Sequence, residues 1–251
     1  MKIKYKQPYW VKFQWDISEH HDNQFVTDFD KEENPMFNKF LYNNFVITTK
    51  FKIKNHYKKD EIGMVFGKPG KNLGLSYNHS TKTMAFEFWT KGVVEDKFQM
   101  IVMKNITVKE IENGVTVSIV REGKKITLYK NFVEDSSLEF ETDFIDDYSD
   151  SSLFIGCSNP DIDSEKHRYY CEIDMSHFSI LNNIGDIEVG KELFETETHN
   201  LLWRKYYDDI LCFYNFETIN NIGIVYDESK YTNFLERSEE HTSELQSRQY
   251  L

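Results

Sequence analysis

Three groups of side chains in this 251-residue sequence have types and spacings suited to chemistry. In Glu172-Ile-Asp174-Met-Ser176, two carboxyl groups are separated by one residue. On a strand such residues share a face, and paired carboxyls about 5–5.5 Å apart serve a retaining glycosidase as nucleophile and acid/base. In Asn159-Pro-Asp161-Ile-Asp163-Ser-Glu165 the acids lie in a short polar run. Hard cations take oxygen ligands from such loops. Asp161, Asp163 and Glu165 are therefore the candidate calcium ligands, although most acidic loops are simply solvated; Asp146-Asp-Tyr-Ser-Asp150 is a weaker candidate of the same kind. The third group is Tyr77, His79 and Trp89, at or beside one hairpin. Aromatic faces with polar neighbours suit sugar rings, which present both C–H patches and hydroxyls, while core packing is the commoner role of any single aromatic. Trp89 has the opposite parity to Phe86 and Phe88, which places it on the other sheet face. Glu19-His-His-Asp22 is metal-like in composition, but adjacent histidines on a strand face opposite ways, so it reads as a surface loop.

The elements that must position these groups are strands. In Phe45–Ile53, Phe45, Ile47, Phe51 and Ile53 alternate with Thr48, Lys50 and Lys52, the period-2 pattern of a half-buried strand. Further strands are expected at 62–67, 73–77, 84–89, 115–120, 125–129, 153–156 and 170–174. Polar connections at 78–82 and 121–124 read as hairpins. Short strands at this spacing predict an all-β, antiparallel two-sheet jelly-roll sandwich. One stretch reads as helical. Between 186 and 211, Leu202, Tyr206 and Ile210 recur at helical spacing, beside Trp203 and Tyr207, which predicts a short, partly helical connector over 186–208.

Several segments resemble the laminin-G-like, concanavalin A-like family. Thr116–Asn131 is similar to that family's hairpin, with Phe132 where a glycine is usual. Leu153-Phe-Ile-Gly156 looks like its Leu-x-Ile-Gly strand, and Glu172–Asn182 looks like its closing strand, with Cys171 near a usual glycine. The resemblance covers roughly 40–185 and implies a lectin-like sandwich over 1–185, in whose relatives calcium often sits beside the ligand. It also implies a binding module with a glycan or protein ligand, contacted here by Tyr77, His79, Trp89 and Asn159. A related jelly-roll glycosidase strand has Glu-x-Asp-x-Glu. Here Ser176 replaces the last acid and cannot protonate a leaving oxygen at neutral pH, so a β-glucan hydrolase is the weaker alternative. A structural spacer in a surface or fibre protein is the third.

The same closing segment carries a conflict of parity. Ile173 and Met175 share one face, whereas Phe178 and Ile180 share the other. A strand resolves this only by a bulge or bend, expected at Ser176-His177, with Asp174 held by a neighbouring loop.

Ile210–Glu217 with Ile224–Ser229 resembles the opening of such modules, and echoes Phe13–Leu41 in order. Residues 209–236 therefore read as the start of a second similar module, implying further domains. The alternative is that they supply the last strands of the first sandwich. Residues 237–247 are similar to the conceptual translation of a short-read sequencing adapter, so 237–251 are expected to lack tertiary contacts.

Composition narrows the classes further. Aromatics make up 16% of the chain, enough to fill a large core. A net charge of −12 argues against a nucleic-acid partner, which needs clustered Lys and Arg. No apolar run approaches the roughly 20 residues that span a bilayer, and no apolar signal segment follows Met1. Three cysteines, Cys157, Cys171 and Cys212, give no disulfide framework; Cys157 and Cys171 could pair across neighbouring strands, but buried thiols are expected. Asn78-His-Ser80 and Asn105-Ile-Thr107 match a glycosylation acceptor pattern, which has meaning only in a secreted chain.

Overall fold

The computed structural model describes residues 11–13, 25–27, 43–53, 62–67, 73–92, 95–142, 154–156, 171, 173–195, 205–215, 225–226 and 234–237. These residues form two antiparallel sheets facing each other across one core, as the alternating pattern predicts. In the first sheet the order is β1 (Val11–Phe13), β12 (Ile173–Asn182), β3 (Phe45–Ile53), β8 (Val115–Glu122), β9 (Lys125–Lys130) and β10 (Val133–Glu139). In the second it is β14 (Val225–Tyr226), β15 (Phe234–Arg237), β2 (Phe25–Thr27), β11 (Phe154–Ile155), β4 (Ile62–Gly67), β5 (Gly74–Asn78), β6 (Thr83–Thr90) and β7 (Lys97–Val102). No described helix is long and apolar enough to cross a membrane.

The core lies between the sheets. Phe45, Phe51, Val117, Leu128 and Phe178 from the first sheet meet Phe66, Leu75, Phe86, Phe88 and Ile101 from the second. Phe66 and Phe178 join the layers edge to face, with ring centroids 5.3 Å apart. Each fully buried aromatic of this kind contributes about 1.5–3 kcal/mol relative to an exposed one. Cys171 and Cys212 are buried in this core, as expected of thiols, and Cys157 lies outside the described residues.

A six-residue helix, α1 (Val108–Asn113), closes one end of the core by inserting Ile111. It starts at a capping box in which Thr107 and Glu110 bond reciprocally. Lys130 Nζ lies 2.9 Å from the Glu110 carboxylate and, with Thr107, lowers its pKa to about 2. Asp135 sits at a bulge in β10 and accepts hydrogen bonds from the Lys104 and Asn105 amides, which ties the approach to α1 onto the sheet.

A second helix, α2 (Ile187–Glu195), covers the outward face of the first sheet. Val189 and Leu193 pack on Val46, Val120, Leu181, Ile210 and Phe213. The fit is close at Gly190, where an added Cβ would meet Val46 Cγ1 at 2.8 Å. This helix lies within the stretch 186–208 expected to be partly helical, but two finer expectations are corrected. The helical stripe was placed on Leu202, Tyr206 and Ile210. The structure instead puts a full helix at 187–195, makes only Lys205 and Tyr206 helical in the described part of that stretch, and starts a strand, β13 (Ile210–Asn215), at Ile210. Thr48 was assigned to a solvent face, yet it is buried because α2 lies over β3.

The parity conflict in β12 is resolved by a bulge. Met175 pairs with Phe51 and His177 with Lys50, so Ser176 is the extra residue. The bulge also marks a change of neighbour: β1 pairs with 173–175 and β13 with 177–181, end to end along one edge of β12. Thr49 Oγ1 donates to the His177 carbonyl at 3.2 Å beside it. The described residues of 209–236 thus pair within this sandwich, through β13 to β12 and β15 to β2. Arg237 pairs with Phe25, which corrects the expectation that it lacks tertiary contacts; 238–251 lie outside the described residues.

The β9–β10 turn carries strain. Asn131 and Phe132 have φ of 48° and 65°, so both central residues are left-handed, as a type I′ hairpin requires. A bulky residue is rarely tolerated there, and Phe132 is the residue that stands where the resembled family has glycine. Its ring meets Phe194 of α2 at 5.3 Å, a contact glycine would not make.

Candidate functional site

The outward faces of the two sheets differ. That of the first sheet is covered by α2 across β3, β8 and β13. That of the second carries, over β4 to β7, the residues whose parity is opposite to the core residues Leu75, Tyr77, Phe86, Phe88 and Ile101. Cross-strand register sets its rows. Phe98 stands opposite Trp89, Met100 opposite Glu87, which in turn faces Gly74, and Val102 opposite Ala85, which faces Ser76. Thr83 and Asn78 form the next row, and Met64 lies beside Ser76 on β4.

The β7 edge of this face is exposed and apolar: Phe98 is 48% accessible, Met100 51% and Val102 37%. Exposed apolar residues scattered singly need no explanation, but three on alternate positions of one strand form a stripe of the kind that marks interaction surfaces. Trp89 is half-buried behind the stripe, its ring edge-to-face with Phe98 at 5.4 Å. Trp89 therefore has a fixed orientation before any ligand arrives.

Polar groups lie one row away. The Ser76 hydroxyl makes a short hydrogen bond to Glu87 Oε1 and also lies 3.3 Å from the Ala85 carbonyl. A hydroxyl has one proton, so it donates to one of these at a time, and only a protonated Glu87 donating to it allows both bonds at once. Burial pushes the Glu87 carboxyl above the usual carboxylate range, opposed by the bond from Ser76. Protonated, Glu87 is a hydrogen-bond donor; ionised, it is an acceptor only. Either form can engage a hydroxyl group.

Of the residues singled out in the sequence, Trp89 is on this face and Tyr77 and His79 are not. Tyr77 belongs to the core at 1% exposure, and His79 packs edge-on against it at 4.9 Å, itself buried. Parity separates them: Tyr77 faces inward on β5, Trp89 outward on β6. Asn159, Asp161, Asp163 and Glu165 lie outside the described residues, as do Glu172 and 146–150. Among the described residues no group of three or more His, Cys, Asp or Glu is placed to hold a metal.

Asp174 is described. It points outward from the first sheet, opposite Lys52 on β3, and its carboxylate lies 3.5 Å from the Lys52 ammonium. One charged partner thus comes from the adjacent strand; the neighbouring loops expected to hold Asp174 lie outside the described residues. The residues the sequence reading missed are Phe98, Met100, Glu87 and Ser76. The alternation of Phe98, Met100 and Val102 was a usable signal, but by itself it points equally to a core-facing strand.

No family model matches the sequence, and no curated protein matches it. Solved structures share the fold. A candidate carbohydrate-binding protein from Bacteroides ovatus ATCC 8483 superposes with a TM-score of 0.55 at 11% identity, over 77% of this chain and 52% of that one. This chain thus spans about half the length of that protein. CBM40 of the Ruminococcus gnavus IT-sialidase, bound to α2,3 sialyllactose, gives 0.47 at 12% identity over 66% and 90%. The binding domain of botulinum neurotoxin serotype D gives 0.43 at 14% over 62% and 38%. The first of these shares the two-sheet jelly-roll sandwich fold; the other two are too distant to carry an argument.

Proposed function

We propose that this chain is a non-catalytic binding module that holds a glycan across the outward face of β5, β6 and β7. The observation that carries the reading is the Trp89–Phe98 pair beside Glu87, at the exposed β7 side of a face whose other part, with Met64 on β4, Ser76 on β5 and Ala85 on β6, is buried. A sugar ring offers a C–H face to aromatic and apolar side chains and hydroxyls to a carboxyl, and this face supplies both within two rows, the buried Ser76 hydroxyl holding the Glu87 carboxyl in place. The fold shared with the Bacteroides ovatus protein supports the same reading by analogy. A role within a longer protein, and a calcium ion on Asp161, Asp163 and Glu165, are proposed alongside it.

The glycosidase reading is weaker. It needs Asp174 as one of two carboxyls facing a substrate, whereas Asp174 is paired with Lys52 on the other sheet. A glycan array on the full chain, run with calcium and with chelator, tests the module reading. Binding that falls in Trp89→Ala and Phe98→Ala supports it. Reducing-sugar release from β-glucans by the wild-type chain would replace it with the enzyme. Loss of binding with chelator would support the calcium proposal.

A further inference from the structure

We infer that this face selects neutral saccharides over anionic ones and that Glu87 sets the choice; the inference rests on the glycan-binding reading above. Among the described outward positions of β4 to β7, Glu87 is the one charged residue. Lys97 stands opposite Thr90 on the other parity, and Lys91 follows the end of β6. Recognition of a sugar carboxylate normally uses Arg or Lys, whose N–H groups make charge-assisted bonds to it. No such group occupies those outward positions.

Glu87 is also central. Gly74 and Met100 flank it across the strands, and Trp89 lies two residues along β6. The Met64 side chain fills the space over Gly74, where an added Cβ would meet Met64 Cε at 2.0 Å. Apart from the Ser76 hydroxyl, the described floor beside the carboxyl is therefore apolar, and charges interact more strongly next to such a surface than in open water. An uronic or sialic acid laid over Trp89 would bring its carboxylate close to this group, and none of the described outward positions of β4 to β7 carries a cation to offset it; Lys91 lies beyond the end of β6, on the far side of Trp89 from Glu87. A neutral sugar meets only a hydrogen-bonding partner. Burial also raises the Glu87 pKa. The fraction that is protonated can donate to a hydroxyl, and the ionised fraction accepts from one, so neutral ligands are served in both states.

The test is calorimetric titration of the wild-type chain with matched pairs of oligosaccharides, such as lactose with sialyllactose and glucose-terminated with glucuronate-terminated chains. The expected result is binding of the neutral member about tenfold tighter or more, since like-charge juxtaposition is strongly disfavoured. In Glu87→Gln, which keeps size and hydrogen bonding, the ratio should narrow towards one. Equal or tighter binding of the acidic member by the wild-type chain would overturn the inference and leave the glycan reading standing. An unchanged ratio in a folded Glu87→Gln would overturn the role of Glu87. Binding of neither member of any pair would overturn the glycan reading and the inference with it.

Discussion

Phe98 holds the Trp89 ring edge-on at 5.4 Å across the β6–β7 ladder, while itself remaining about half exposed. A half-exposed aromatic contributes less to folding than a core one, and the edge-to-face contact adds about 0.5–1.5 kcal/mol. Phe98→Ala should therefore lower stability by about 1–2 kcal/mol and change the Trp fluorescence. It should weaken glycan binding well beyond what that loss explains. Chemical denaturation and titration of the same variant separate the two effects.

His177 is buried between Phe194 and Phe213, with ring centroids 4.8 Å from each and Nε2 2.9 Å from Ser179 Oγ. Burial, helped by the nearby Lys50 ammonium, lowers its pKa from 6.5 to about 3. The folded chain keeps the ring neutral while the unfolded chain protonates it below about 6.5. Its contribution is therefore intact above 6.5 and is lost as the pH falls toward 3, at up to about 1.4 kcal/mol per pH unit. Denaturant melts from pH 7.5 to 4.5 should show the wild-type chain losing stability faster than His177→Phe. Parallel profiles would refute this.

The strain at Phe132 is set against its contact with Phe194. Phe132→Gly removes a left-handed conformation that costs about 1–2 kcal/mol and deletes a partly buried ring of similar worth. Net stability should change by less than about 1 kcal/mol, while amide exchange in α2 should become faster. Phe132→Ala keeps the strain and loses the ring, so it should be the less stable of the two.

Glu87→Gln should leave the melting temperature at pH 7 unchanged or higher. Burial disfavours the ionised carboxyl in the folded chain, so the raised pKa destabilises the fold most above the folded value and least below 4.5. The advantage of the amide should shrink as the pH is lowered toward 4.5. A melting temperature that falls on substitution at pH 7 would show that the ionised group is a net stabiliser.

Much of the fold was legible because inward residues alternate. Phe45, Ile47, Phe51 and Ile53 defined β3, and the switch of parity after Met175 located the bulge at Ser176. What was missed follows from surfaces that invert the rule. In β7 the residues Phe98, Met100 and Val102 point outward and only Ile101 joins the core, so the strand that carries the candidate face has a misleading pattern. The helix α2 covers a sheet from outside, and its apolar partners Val46, Val120 and Leu181 lie on the face that alternation assigns to solvent. Thr107 and Glu110 spelled out the start of α1 three residues apart, a signal present and not used. Tyr77 and His79 were grouped with Trp89 by nearness in sequence, but strand parity sends Tyr77 to the core, and His79, in the turn after β5, packs against it.

The most direct test of the binding face is titration of one neutral glycan from the array against three chains: wild type, Trp89→Ala, and Val133→Ser, which alters an exposed apolar residue on β10 of the other sheet. Saturable binding with equal affinity is expected for wild type and Val133→Ser, with a loss of about tenfold or more in Trp89→Ala. Equal affinity in all three, or a loss confined to Val133→Ser, would contradict the proposed binding face.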